Sequence, residues 1–249
     1  MTNGHIVYCA GPMFSPGDFI EMKAISDALE GAGYTTYLPQ RDGIEVAKIM
    51  ESLGKGPPPP PGGPDPQLVA DLMRKAVFAL DVYQLLSRCD CAVFNMNGRV
   101  PDEGSVAETS MAFATGKPIV IYKDDPITIL MGLDNPLVQG LSYTWTYATG
   151  FPPDVPAKLT EFLAQYEQLW GAPPQPNLSG YLTGVVQIGA SVWALLQELR
   201  VKFPDPNDPK QAMQIIEALI AWLLQNQPAF QRVFPKPTGT ARFKAFRSL

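Results

Sequence analysis

The run Asp102-Glu-Gly-Ser-Val-Ala-Glu108 places acids at both ends of a short helical stretch. It lies between two apolar runs that read as strands, Cys91-Ala-Val-Phe-Asn95 and Pro118-Ile-Val-Ile-Tyr122. Asp102 has the right side chain for a helix N-cap. Glu108 then falls within the first two turns, on a face that can look back toward the sheet edge. Acids at the carboxyl end of a strand sit where open α/β sheets bind their ligands. Two acids converging on a crevice suit chemistry at a sugar carbon, where one attacks and the other places protons. The same residues also read as a capping Asp and a solvated helical Glu, because first helical turns favour acids in any case. A further acid, Asp81, stands in a helical run among small and apolar neighbours (Ala76, Phe78, Ala79, Leu80, Val82). An acid on the buried side of a helix is costly unless it is paired or used.

The elements that must position these acids follow from hydrophobic periodicity. Ile6-Val-Tyr-Cys-Ala10 reads as a short buried strand, ended by Gly11-Pro12. An amphipathic helix over about 18–32 follows, with Phe19, Met22, Ile25, Ala28 and Leu29 on one side and Gly33 as its stop. Tyr34 to Leu38 is a second strand. A short helix is expected from Ile44 to Leu53 and a long one from Gln67 to Leu86. Between them lies Pro57 to Pro61, an unbroken proline run that excludes helix and central strand and reads as an extended surface loop. Alternating strands and helices predict a doubly wound α/β fold with a mostly parallel, flavodoxin- or Rossmann-like sheet. We assign 1–150 to this α/β domain, with a proline-rich insertion at about 54–66, and 151–249 to a helical carboxyl-terminal extension. In that extension helices are expected over 157–170, 178–201 and 209–226, and a basic tail over 236–249. The last two helices carry an apolar stripe that needs cover from the core or from a partner subunit, the second being favoured. Leu141 to Tyr147 is β-prone.

The order and spacing of several short strings resemble one family. Val7-Tyr-Cys-Ala-Gly-Pro-Met-Phe-Ser15, Tyr37-Leu-Pro39, Asp81, Ser87-Arg-Cys-Asp90 and Asp102-Glu-Gly-Ser-Val-Ala-Glu108 are similar to the nucleoside 2-deoxyribosyltransferases. The resemblance covers roughly residues 5 to 140. It implies that Glu108 is the nucleophile at the anomeric carbon and that Asp81 helps to protonate the leaving base. It further implies that Asp102 holds the sugar 5′-hydroxyl, that Asn135 reaches the same hydroxyl from a neighbouring subunit, and that Tyr8 stands beside the nucleophile. Phe14 could stack on the base or anchor its loop. Gln40 and Asp42 could read base edges, although Asp42 also suits a turn. Burial should raise the Asp81 pKa, whereas the helix amino terminus should keep Glu108 ionised. Thr109 departs from the family pattern, which has a glycine or another small residue there.

Composition narrows the alternatives. A net charge of −5 argues against a nucleic-acid groove, which needs a basic face. With His5 the single histidine, zinc sites and histidine-dependent catalysis are disfavoured. Cys9, Cys89 and Cys91 lie in or beside buried strands and read as reduced thiols of a cytoplasmic protein. Tyr181 to Leu196 is apolar but short for a membrane span. The expectation is an enzyme of nucleoside salvage: a homo-oligomer without cofactor or metal, taking deoxynucleosides and nucleobases and binding neither nucleic acid nor membrane. The rivals are a 2′-deoxynucleoside 5′-monophosphate N-hydrolase on the same fold and a non-catalytic nucleoside-binding or scaffold protein.

Overall fold

The computed structural model describes residues 4–44, 63–98, 101–124, 135–143, 145, 147–205 and 208–235. The helix expected at 44–53, the proline run and the basic tail fall outside these residues, apart from Ile44. Four parallel strands form one sheet in the order β2-β1-β3-β4: β1 (Ile6–Ala10), β2 (Thr35–Tyr37), β3 (Cys91–Asn95) and β4 (Ile119–Tyr122). The chain leaves β1 to one side for β2 and returns to the other for β3. The β1/β3 boundary is therefore the switch point at which such sheets open a crevice.

Strands β1, β3 and β4 are apolar on both faces, as a sheet covered on both sides requires. Val7, Cys9, Cys91, Val93, Val120 and Tyr122 face one layer of helices. That layer holds α1 (Pro16–Gly31) and, after the short helices α2 (Pro39–Asp42) and α5 (Pro136–Gln139), the later helix α6 (Val155–Trp170). Tyr8, Ala10, Tyr37, Ala92, Phe94, Ile119 and Ile121 face the other. There lie α3 (Pro66–Tyr83), a π-helical turn (Gln84–Arg88) and α4 (Glu103–Ala114). The helices α7 (Gly180–Lys202), α8 (Pro209–Gln225) and α9 (Gln227–Val233) pack behind them.

Helix α1 begins two residues earlier than its periodicity indicates. Ser15 accepts from the Asp18 amide, while the Asp18 carboxylate accepts from the Ser15 amide at 2.8 Å, a reciprocal cap that starts the helix at Pro16. The β-prone stretch 141–147 forms no strand among its described residues. It makes a turn after α5, and Ala148 then bridges to Tyr122. Tyr143 spends its aromatic surface on packing instead, stacking on Phe113 and Phe162.

The apolar stripe of α8 is covered within the chain. Ile216, Leu219 and Leu223 join the same core as α3 and α7, so these residues need no partner subunit. Helix α7 is long and apolar enough to cross a membrane, yet its Val185, Ile188 and Val192 are buried in that core. The crossing of α7 over α3 depends on Gly189, where any Cβ would collide with the Ala79 carbonyl and would lie 2.5 Å from Tyr83 Cβ. Gly189→Leu should therefore force the two helices apart. We expect a loss of about 2–4 kcal/mol in denaturant unfolding, with an unchanged midpoint excluding this contact as a determinant of stability.

Candidate functional site

The acids meet at the carboxyl ends of β1 and β2. After β1 the chain turns at Gly11, where a Cβ would come within 2.8 Å of Asn95 Cβ and 2.5 Å of Met22 Sδ. Glycine alone lets the β1–α1 loop run this close to the end of β3, and the loop then carries Met13 to the cleft wall. Opposite, β2 ends at Leu38-Pro39 and α2 presents Gln40. Asp81 comes from α3, and Asp102, Gly104, Ser105 and Glu108 from the start of α4. Together these residues line a cleft of about 110 Å³. A larger cavity of about 500 Å³ lies at the amino ends of the strands, beside His5, Asp90 and Lys117, away from these acids.

Two phenols hold the two inner acids. Tyr8 donates to Glu108 Oε1 at 2.8 Å, and Tyr37 donates to Asp81 Oδ1 at 3.2 Å. Strand register explains the arrangement: Tyr8 and Tyr37 are direct partners across β1 and β2. Side chains of partnered residues share a face, and the two rings stack with centroids 5.5 Å apart. Asp102 caps α4 by accepting from the Ser105 amide at 2.7 Å and hydroxyl at 2.9 Å.

The carboxyls of Asp81 and Glu108 are both driven toward their protonated forms. Burial is the leading cause for each. For Glu108 the charge of Asp81, and after it that of Asp102, pushes the same way, while the Tyr8 hydrogen bond opposes. For Asp81 the Tyr37 hydrogen bond opposes. The rise at Asp81 agrees with the sequence reading. The rise at Glu108 does not, because Glu108 lies in the second turn of α4, beyond the reach of the first-turn amides, and shares its cleft with two acids.

The remaining candidates divide. Gln40 lines the cleft; its Nε2 donates to the Phe19 carbonyl at 3.0 Å, and its Oε1 is buried with no partner among the described residues. Asp42 is occupied by structure, accepting from the Leu38 amide at 2.8 Å and pairing with Arg41. Phe14 is 81% exposed and its neighbour Met13 lines the cleft instead. Asn135 caps α5 through the Leu137 amide and is not among the residues lining the cleft of its own chain. Thr109 is buried and donates to the Ser105 carbonyl at 2.6 Å, so its hydroxyl is spent inside α4. Sequence reasoning missed Tyr37, Met13, Met22 and Ser105 as site residues. Tyr37 stood within a quoted string, but its role needs the strand register.

A family model described as nucleoside 2-deoxyribosyltransferase matches residues 7–142, more than half of the chain. The chain belongs to that family. Among solved structures, a conserved protein from Enterococcus faecalis V583 is similar at 18% identity and a TM-score of 0.41, the alignment covering 63% of this chain and 98% of that one. No curated protein matches the chain. The deoxyribosyltransferase match contains every cleft-lining residue named above and ends before α6, so α6 to α9 lie outside it.

A carboxyl whose pKa is higher folded than unfolded binds more protons in the folded state. Its ionised form therefore costs stability as pH rises through neutrality. Glu108→Gln should raise the melting temperature over wild type by a few degrees at about pH 9 and by nothing at about pH 4. Calorimetry at both pH values checks this; an equal shift at the two would show that charge is not the cause.

Proposed function

We propose that the protein is a nucleoside 2-deoxyribosyltransferase that moves 2-deoxyribose between nucleobases through an ester on Glu108, with Asp81 handling the proton of the base. The observation that carries this reading is the Glu108 carboxyl, aimed by the Tyr8 phenol into a cleft it shares with Asp81. In the first step Glu108, as carboxylate, bonds to C1′ as the bond from C1′ to the base nitrogen breaks. The electron pair leaves with the base, which takes a proton from Asp81. In the second step the nitrogen of an incoming base attacks C1′, the ester breaks to free the Glu108 carboxylate, and the proton returns to Asp81. Water in place of the incoming base gives hydrolysis. This is the two-step logic of retaining glycoside chemistry.

The raised proton affinity suits Asp81 and opposes Glu108, whose attack needs the carboxylate. A proton retained near neutrality is what a general acid needs. The shorter phenol bond goes to Glu108, where donation favours the carboxylate required for attack. The unpartnered Gln40 Oε1 offers an acceptor to an N–H on the base edge.

The nucleotide-hydrolase reading needs donors for a phosphate. Ser15 is not among the residues lining the cleft, Ser105 already donates its hydroxyl to Asp102, and Arg99 lies outside the described residues. Asp102 at the cleft would repel a dianion. Nucleosides are therefore favoured as substrates.

Glu108→Ala should keep the fold and lose transfer by about 10³-fold or more. Mass spectrometry of the wild type with a slow substrate should find a deoxyribosyl adduct on the Glu108 peptide. Full activity in the variant, or an adduct elsewhere, rejects the assignment. Ribonucleosides should be poorer substrates by roughly 10- to 100-fold in kcat/KM, because the Tyr8 hydroxyl is already used and the methionine wall gives an extra 2′-hydroxyl no partner. Comparing inosine with deoxyinosine measures this, and equal turnover would contradict it.

A further inference from the structure

Tyr37 is held from outside the family match. Its ring is fully buried, with Tyr8 stacked on it and the indole of Trp193 against it edge-on, centroids 5.8 Å apart at 75°. Trp193 belongs to α7. Two guanidinium groups lie over its ring, that of Arg88 from the π-helical turn at 4.7 Å and that of Arg200 at 5.4 Å. Arg200 also donates to the Asp42 carbonyl at 2.6 Å, which ties α7 to the end of α2 just beyond Gln40. At Gly43 a Cβ would stand 3.2 Å from the Tyr37 hydroxyl and 2.6 Å from the Pro39 carbonyl. The Tyr37 ring and hydroxyl thus meet Tyr8, Trp193, Asp81 and the backbone at Gly43.

We propose that Trp193 is a positioning residue for the reaction: it holds the Tyr37 ring so that the phenol reaches Asp81, and α7 thereby belongs to the catalytic apparatus. The inference rests on the roles given above to Glu108 and Asp81. The Tyr37–Asp81 contact, at 3.2 Å, is long for a hydroxyl donor, so a small tilt of the ring breaks it. Strand β2 is a short edge strand and cannot fix that tilt alone. The indole supplies the missing wall, and the cation–π contacts of Arg88 and Arg200 hold the indole.

The consequence is a change in where Asp81 gives up its proton. Asp81 faces Tyr37 and Glu108; Glu108 faces Tyr8 and Asp102 as well; the Tyr37 phenol also feels Asp42 and Cys89; Arg88 and Arg200 stand behind the indole. Hydrogen bonding to a carboxylate favours its ionised form. Losing the Tyr37 bond therefore makes Asp81 hold its proton to higher pH, and the alkaline limb of the rate profile moves up.

The test is the pH dependence of kcat for deoxynucleoside turnover in the full chain. Trp193→Leu should lower kcat about tenfold near neutrality and move the alkaline limb up by about half a pH unit or more. Tyr37→Phe should do the same, and the double variant should move no further than either single one. Trp193→Phe, which keeps an aromatic edge, should restore the wild-type profile. Arg200→Met, which loosens the indole without removing it and keeps the test decisive if Trp193→Leu folds poorly, should move the limb in the same direction by less. An unmoved profile in Trp193→Leu and Arg200→Met, or shifts that add in the double variant, overturns the positioning role. Failure of the functional reading shows separately, as activity retained in Glu108→Ala.

Discussion

Three acids face one cleft with no lysine or arginine among the described residues that line it. That constraint shapes the rest of the molecule. Without a cation, the carboxyls can be steadied only by neutral donors: the Tyr8 and Tyr37 phenols for the inner pair, and the Ser105 amide and hydroxyl for Asp102. Neutral donors offset only part of the cost of burying charge, so the pair keeps a high proton affinity. Such a cluster is a store of local instability, and the surrounding fold must carry it.

The fold carries it through two separate cores, one on each face of the sheet. Alternate residues of β1, β3 and β4 feed them, Val7 and Cys9 to one side, Tyr8 and Ala10 to the other. The face that carries Tyr8 and Tyr37 is the more heavily backed. Behind Tyr8 and Tyr37 lie α3, the π-helical turn and α7, with α8 and α9 closing the outer side. Gly189 allows α7 to approach α3 closely, and the approach is what brings Trp193 to Tyr37. Helices α7 to α9, beyond the family match, are thus continuous with the packing behind the acids.

The rim of the cleft is governed by backbone details. Gly11 lets the loop after β1 pass against Asn95, and the Ser15–Asp18 cap fixes where α1 starts. Between them they decide that Met13, and not Phe14, reaches the cleft. On the other side, Asp42 is drawn away by the Leu38 amide, Arg41 and Arg200, which leaves Gln40 as the polar side chain of α2 at the cleft.

The sequence by itself determined the parts that depend on neighbours in the chain. Strands β1, β3 and β4 were legible from short apolar runs, α4 from its Asp102 cap, and the parallel sheet from the alternation of elements. Asp81 was legible as an acid within an apolar helical run, while Asp102 and Glu108, ordinary in themselves at a helix start, stood out through the order and spacing of the strings that resemble the family. Tertiary structure alone decided what joins residues far apart: the phenol of Tyr8 on Glu108, that of Tyr37 on Asp81, and the indole of Trp193 behind them. It also reversed the expected ease of ionising Glu108 and turned the α8 stripe inward onto α3. Periodicity tells which face of an element is apolar. It does not tell which distant element that face will meet, and the proton affinity of a carboxyl is set by the groups it meets.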